Sequence, residues 1–356
     1  MEYIALGMKR DTALNMCGIS HHQYYHRPKS SKVGRQASVT TMQQLADETI
    51  DVSNATVVKK IETNHSDPDL RYGYRRMTSY LQLLGYYINH KKVYRLMKEH
   101  NLLQAKPSKS AKDYVKYRVI NPTAPLTGLE MDIKYVWLES RRTHAYILTI
   151  LDTFTRYALG WYAAMSITQH TVKELWSEVI INHLQEHDML NKGIDIEIRN
   201  DNDKRFEAKL VQKFFNDNHL NQVFTHPYTP QENGHIESFH AILSRSLDRY
   251  IFNDLSNLDM HLSLFYEKYN NVRLHGSLAG LSPRMFWDQW LMGNIERTVL
   301  SKKKVKFSLK TPKQQLFGNS ISREASCFNF ESLDAMKNYQ YLNEAVGAEQ
   351  LPQPSV

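Results

Sequence analysis

Apolar residues recur along this chain with two different periods, and the change of period divides it. Up to about residue 103 the spacing is helical. Ala13, Leu14 and Cys17 fall on one side of a short helix, and Gly18 breaks it. Ser20, with Gln23 three residues on, then predicts a capping box in which both side chains satisfy free backbone N–H groups at the entrance of a second helix. This gives a helix-turn-helix over residues 1–35. A further helix is expected from Met42 to Thr63, followed by the turn-forming HSDPD at 65–69. Residues 71–103 predict a helix through Leu84, a break at Gly85 and a new helix capped by Asn89, which makes a second helix-turn-helix within 36–105. In its last helix Val93, Leu96 and Met97 share an apolar face, while Lys91, Arg95 and Lys98 fall on another that suits a phosphate-lined groove.

Between residues 104 and 125 no period is sustained. Pro107, Pro122 and Pro125, mixed with five Lys or Arg residues, predict a linker over 106–124. Beyond it the pattern is that of strands, rich in β-branched and aromatic residues, at 129–138, 145–151 and 157–165. A helix at 170–187, a strand at 194–198, a helix at 209–217, a strand at 222–224 and a long helix from about Gly234 to Tyr250 follow. That order predicts an α/β domain over 125–290, with the later strands joined by parallel crossovers. Residues 301–313 read as a basic alternating strand or a solvated segment. The extension 291–356 is expected to be partly disordered, ending in QLPQPSV.

Charge sharpens the division. The 356 residues carry a net charge of +8, but residues 1–124 hold 20 Lys+Arg against 10 Asp+Glu, residues 125–290 hold 16 against 21, and residues 291–356 hold 9 against 6. A basic front joined to an acidic middle points to a polyanion grip attached to something that binds metal or does chemistry. Cys17 and Cys327 are too few for a disulfide framework or a four-cysteine zinc site. The longest apolar stretch, 145–165, is interrupted by Asp152 and Arg156, and the N-terminus lacks an apolar export signal, so no membrane span and a cytoplasmic protein are expected.

Three acids stand where an α/β fold gathers functional groups. Asp132 lies inside the first strand pattern, where a charge among Met131, Ile133 and Val136 is costly unless it is paired or binds a cation. Asp201 directly follows a strand, at the end where α/β sheets form their ligand crevice, and Glu237 lies in the early turns of the long helix. Thirty-five residues separate the last two. With EMDIKYV around Asp132, RNDNDKRF around Asp201 and HPYTPQENGHIESFH around Glu237, the chain resembles the DDE transposases and integrases, most closely the second-frame catalytic protein of the insertion sequence 3 family. GISHHQYYHRP at 18–28, YGYRR at 72–76, NHKKVYRLMKEHNLL at 89–103 and YNNVRLHGSLAGLSPRMFW at 269–287 extend the resemblance over roughly residues 10–290.

The resemblance implies an RNase H-like catalytic core, a mixed sheet flanked by helices, preceded by all-α helix-turn-helix modules. It implies a transposase that binds terminal inverted repeats of double-stranded DNA and performs Mg²⁺-dependent strand cleavage and transfer into a target, with Asp132, Asp201 and Glu237 as catalytic metal ligands. Two Mg²⁺ ions, which Mn²⁺ can replace, would activate the attacking oxygen and stabilise the leaving one without a covalent protein nucleophile. Lys91, Lys92, Arg95, Lys98, Arg75, Arg76 and Arg245 are candidate DNA contacts. Asn233 is another, four residues before Glu237, where it is one turn away if the helix reaches back so far. His226, Pro227, Tyr228, Pro230 and Gln231 form the loop that approaches DNA in the family. A homo-oligomer on DNA, a first-frame partner protein and a bacterial, nucleoid-associated setting belong to the same expectation.

Other polar residues receive structural expectations: Asp152 and Arg156 an ion pair, Asp203 a helix cap, His235 and His240 places on the helix surface outside the metal site. The sequence departs from the family at Asp203, where a glycine is usual, and at Ser244, where Lys or Arg is usual, with Arg245 one step on. A catalytically silent DNA-binding regulator of the element is the alternative of a different class. A phage-type or retroelement integrase is the alternative within the enzyme class, disfavoured by two helical modules and by cysteines too few for a zinc domain.

Overall fold

The computed structural model describes residues 2–26, 37–45, 48–104, 122–226, 230–301 and 304–316. Most of the predicted linker, with the whole chain beyond 316 and hence Cys327 and the expected disordered end, lies outside the described residues. Contacts divide the chain into Met1–Thr40 and Thr41–Val356.

In the first unit α1 (Glu2–Ala5) precedes α2 (Arg10–Cys17) and α3 (His21–Tyr25). The turn between α2 and α3 is made by Gly18 at φ 63°, and the capping box forms: the Ser20 hydroxyl accepts from Gln23 N at 3.2 Å while Ser20 N donates to Gln23 Oε1 at 2.9 Å.

The second unit begins with a departure from expectation. In place of one helix from Met42 to Thr63, β1 (Thr40–Gln44) and β2 (Thr49–Ser53) form a two-stranded ribbon before α4 (Asn54–His65). β-branched Thr40, Thr41, Thr49, Ile50 and Val52 favour the extended chain. The Ser53 hydroxyl, accepting from Thr56 N, starts the helix twelve residues later than expected. The predicted pair that follows is α5 (Tyr74–Leu83) and α6 (His90–Glu99). Gly85 turns between them at φ 88°; a Cβ there would stand 2.3 Å from Gln44 O, so only glycine fits. Asn89 caps α6 by accepting from Lys92 N at 2.9 Å.

Strands β3 (Gly128–Leu138), β4 (Thr143–Asp152) and β5 (Ala158–Ala164) are antiparallel neighbours, while β6 (Ile196–Asn200) and β7 (Leu220–Phe224) add in parallel, giving the order β5-β4-β3-β6-β7. Helices α7 (Gln169–Val179) and α8 (Lys209–Asp217) make the parallel connections. The single helix expected to run to 187 passes at Ile180–Gln185 into a wider π turn. Then come α9 (Gly234–Leu247), α10 (Leu255–Asn271) and α11 (Pro283–Leu291). The segment after 291 holds a hairpin of β8 (Ile295–Ser301) and β9 (Lys304–Leu309).

Alternation along β3 decides what each face does. Leu129, Met131 and Ile133 pack with Val172, Trp176, Val211 and Phe215 of α7 and α8 in one core. Gly160 on β5 lets α7 come close, since a Cβ would lie 3.0 Å from Val179 and 3.1 Å from Leu175. Val136 and Leu138 pack with Ile236, Phe239, Leu243 and Tyr266 of α9 and α10 in a second core. Asn270 ties α10 to the edge strand, accepting from Ala158 N at 2.9 Å and donating to Ala158 O at 3.0 Å. The third core joins Val57, Met77, Leu81 and Met97 of the helical module to Leu274, Leu281, Phe286 and Leu316, with Phe307 of β9 packed against it.

Candidate active site

Even-numbered residues of β3 face α9, and two of them are acids. Glu130 is fully buried, and its Oε2 accepts from the backbone N–H groups of His235, at 3.1 Å, and Ile236, at 2.7 Å, in the first turn of α9. A carboxylate at these otherwise unsatisfied N–H groups complements the positive end of the helix. Burial pushes the Glu130 carboxyl up to about 7, against the pull of Arg156 and Arg199, and its Oε1 is buried without a partner. One strand turn on, Asp132 is half-buried, with Oδ1 accepting from Ile133 N at 2.8 Å and Oδ2 3.3 Å from His240 Nδ1 of α9.

Asp201 follows β6 at the sheet end, and its Oδ1 accepts from Asp203 N at 3.3 Å. Glu237 is exposed in the first turn of α9. The protein around them raises both carboxyls above the ordinary range, first by partial desolvation and next by the negative charge of Asp132. Three acids from a strand, a strand end and a helix are thus electrostatic neighbours, with Asp132 at the centre. Among the described residues no three His, Cys, Asp or Glu side chains converge closely enough to hold a metal ion. The donor chemistry still fits one: carboxylate oxygens with mutual repulsion suit a hard cation.

Asn233 stands before α9, not in it. It ends the 3₁₀ turn Pro230–Asn233 with φ −104° and ψ 33°, so the helical i−4 geometry to Glu237 does not arise, and its buried Oδ1 has no partner. Pro227 and Tyr228 lie outside the described residues. On the loop's near side, buried Glu232 accepts from His226 N at 3.0 Å.

Three structural expectations are corrected. Asp152 does not rely on Arg156: its carboxylate accepts from the hydroxyl and N–H of Thr155, from Phe154 N at 3.2 Å and from Leu126 N at 3.3 Å, and the stronger attraction of Arg156 is to Glu130. Asp203 caps no helix, since Ala208 precedes α8; it accepts from Arg205 N at 2.8 Å and pairs with the Arg205 guanidinium, which lowers its carboxyl from the usual range. His240 is not a surface residue of α9, because its ring turns inward against Asp132. His235 is mostly buried near Arg156 and Arg199; burial first and those charges next push its ring down to about 3, so it is neutral.

The candidate DNA contacts fall into two groups. Lys91 and Lys98 are exposed on α6, with Lys92 and Arg95 half-buried beside them and Arg95 3.8 Å from Glu99. Arg75 and Arg76 are on α5, Arg76 lying 5.3 Å over the Tyr72 ring, and Arg245 is exposed on α9, away from the α6 cluster along the chain. Glu130 and His240 are the site residues that sequence reasoning missed or set aside. Glu130 had a local signal, a second acid at i−2 on a strand predicted to be buried, but its partners are 105 and 106 residues away.

Comparison with known proteins agrees with this layout. Residues 50–110 match the HTH-like domain family, and residues 122–230 and 218–283 match two descriptions of the integrase core domain. An uncharacterized protein of insertion element IS476 from Xanthomonas euvesicatoria is 23% identical over 288 residues, covering 80% of this chain and 74% of that protein. The putative transposase InsK for insertion sequence element IS150 from Escherichia coli is 25% identical over 260 residues, covering 68% and 86%. The catalytic core domain of HTLV-2 integrase, solved in complex with magnesium, is similar at 19% identity and a TM-score of 0.34, covering 47% of this chain and 99% of that one. An HTH-like domain leading into an integrase core, with relatives drawn from insertion elements, is consistent with a DDE transposase of the insertion sequence 3 family.

Proposed function

We propose that Asp132, Asp201 and Glu237 are the residues with which this transposase holds divalent metal, two Mg²⁺ ions or Mn²⁺ in their place, while cutting element ends and joining them to a target. The observation that carries the reading is that three separate elements bring these acids together, so that Asp201 and Glu237, raised first by partial burial, are raised further by the charge of Asp132. Bound there, the metal supplies Lewis-acid stabilisation of the attacking and leaving oxygens of an in-line phosphoryl displacement. A divalent cation held by these three carboxylates would relieve their mutual repulsion. His240 holds Asp132 from the side away from solvent, and Glu130 fixes the first turn of α9, which sets where Glu237 begins. Residues 1–104, with Lys91, Lys92, Arg95, Lys98, Arg75 and Arg76, grip the terminal repeats of double-stranded DNA, Asn233 and Arg245 touch the end near the chemistry, and 125–290 act as the catalytic domain. A homo-oligomer on DNA, a first-frame partner and a bacterial cytoplasmic setting complete the proposal. The described helices include none long and apolar enough to cross a membrane.

The test is metal binding itself. Titrating Mn²⁺ by electron paramagnetic resonance should show saturable sites in the native protein and weaker or fewer ones in Asp132→Asn, Asp201→Asn and Glu237→Gln, each of which keeps shape and removes charge. Native affinity in all three variants would remove these residues from the metal site.

A further inference from the structure

Away from the acids, three arginines from three elements crowd together without a carboxylate. Tyr72 brings the first two into one place: Arg76 lies 5.3 Å over its ring, and its hydroxyl accepts from Leu274 N at 3.0 Å and contacts Val272 O at 3.4 Å, the residues on either side of Arg273. Arg273 donates from Nη1 to the carbonyl of Asp69, while its Nε is buried with no partner. The Asp69 side chain in turn receives Ser246 of α9 and Arg249 just beyond its end, and Arg245, adjacent to Ser246, is near enough for its charge to act on both Arg76 and Arg273. The acids nearby are committed elsewhere, Asp69 to Arg249 and Asp67 to Lys268 at 2.9 Å. Among the described residues neither Arg76, Arg245 nor Arg273 has an ion-pair partner.

Burial first, and the neighbouring guanidinium groups after it, push Arg76 and Arg273 below the ordinary arginine range, so the fold keeps three like charges together at a cost. Guanidinium forks match the oxygens of a phosphate, and a bound anion would cancel the repulsion. Three elements meet here: α5 of the HTH-like domain, the segment after α10, and α9, whose first turn carries Glu237. Eight residues of helix between Glu237 and Arg245 span about 12 Å.

We propose that Arg76, Arg245 and Arg273 form an anion site that takes one backbone phosphate of the DNA, held where the HTH-like domain meets the helix that bears Glu237. This deepens, and rests on, the reading of the chain as a transposase acting on DNA. A strand gripped by the helical module is then anchored at a fixed distance from the acids, which couples recognition to cutting.

Two measurements on the full chain test it. In the first, inorganic pyrophosphate is compared with chloride at equal ionic strength by thermal unfolding. The native protein should gain in Tm, and Arg245→Glu, an exposed change that spares the packing of Arg76 and Arg273, should lose that gain. General salting effects act on both proteins alike and cancel. In the second, binding to element-end DNA is followed against salt without divalent metal. The triple variant Arg76→Gln, Arg245→Gln, Arg273→Gln should lower the log–log slope by about 0.9, the value for one phosphate, while Arg245→Lys alone, which conserves the charge, should keep the native slope. An unchanged slope together with an unchanged pyrophosphate response overturns the site, and a loss of about 2.7 means separate phosphates and overturns the shared site. A native protein that binds DNA with the expected slope yet never cuts it with Mg²⁺ would instead defeat the transposase reading and leave the anion site standing.

Discussion

On one face of the central sheet, α7 and α8 cover Leu129, Met131 and Ile133 with an almost wholly apolar layer. On the other, α9 and α10 cover the same strand across Glu130, Arg156, Arg199 and His235, all charged or titratable and all largely shut away from water. The first face holds the sheet together at little cost. The second positions the acids, and the expense of burying charge shows in a carboxyl raised to about 7 and an imidazole lowered to about 3. Functional chemistry is built on the face where stability is spent.

Removing material from the apolar face should produce the largest loss of stability. Trp176 is fully buried, stands edge-on to Phe215 at 5.1 Å and donates from Nε1 to Met131 Sδ at 3.1 Å. Trp176→Ala should cost about 3–5 kcal/mol, read as a fall in the urea midpoint, with metal affinity of the remaining folded fraction unchanged. A cost near zero would mean that this face does not carry the fold.

On the polar face the sign should reverse. The Glu130 carboxyl is raised from 4.5 to about 7 when folded, so the folded state keeps its proton longer than the unfolded chain does. Its contribution is therefore most favourable below about 4.5 and is lost as pH rises to about 7, by on the order of 3 kcal/mol. Glu130→Gln keeps an acceptor for His235 N and Ile236 N and should flatten that fall, making the variant the more stable protein above pH 7. A native-like pH dependence in the variant would show that another group governs it.

The smallest effect is expected at the rim. Asp203 is already paired with Arg205, and Asp203→Asn should leave strand transfer close to the native rate in a gel assay. Strong loss of activity would move Asp203 into the metal site.

Much of this contrast can be read from residue order. The strands around Asp132 and Asp201, the helix whose first turn holds Glu237, the turn at Gly85 and the cap at Asn89 all follow from local period and turn chemistry, which depend on residues a few positions apart. Long-range partners leave no such trace. Nothing near Glu130 in sequence announces the amides of His235 and Ile236, and nothing in residues 54–99 announces that Leu274, Phe286 and Leu316 complete their core. The ribbon at 40–53 was hidden because Met42, Leu45 and Ile50 also satisfy a helical spacing, until the β-branched residues and the cap at Ser53 decide the matter. One consequence is physical: an isolated fragment ending near residue 104 would leave the apolar surface that residues 274–316 cover exposed to water.

The most direct test of the account is to incubate the full chain with DNA carrying its own element ends, Mg²⁺ and any first-frame partner, and to map the products of the native protein beside those of Asp132→Asn, Asp201→Asn and Glu237→Gln. The account predicts 3′-end cleavage and joining by the native protein alone, both steps lost together in each variant while DNA binding persists. Joining at the native rate by any one variant would contradict that residue's role, and tight binding without metal-dependent cleavage by the native protein would make the chain a silent regulator instead.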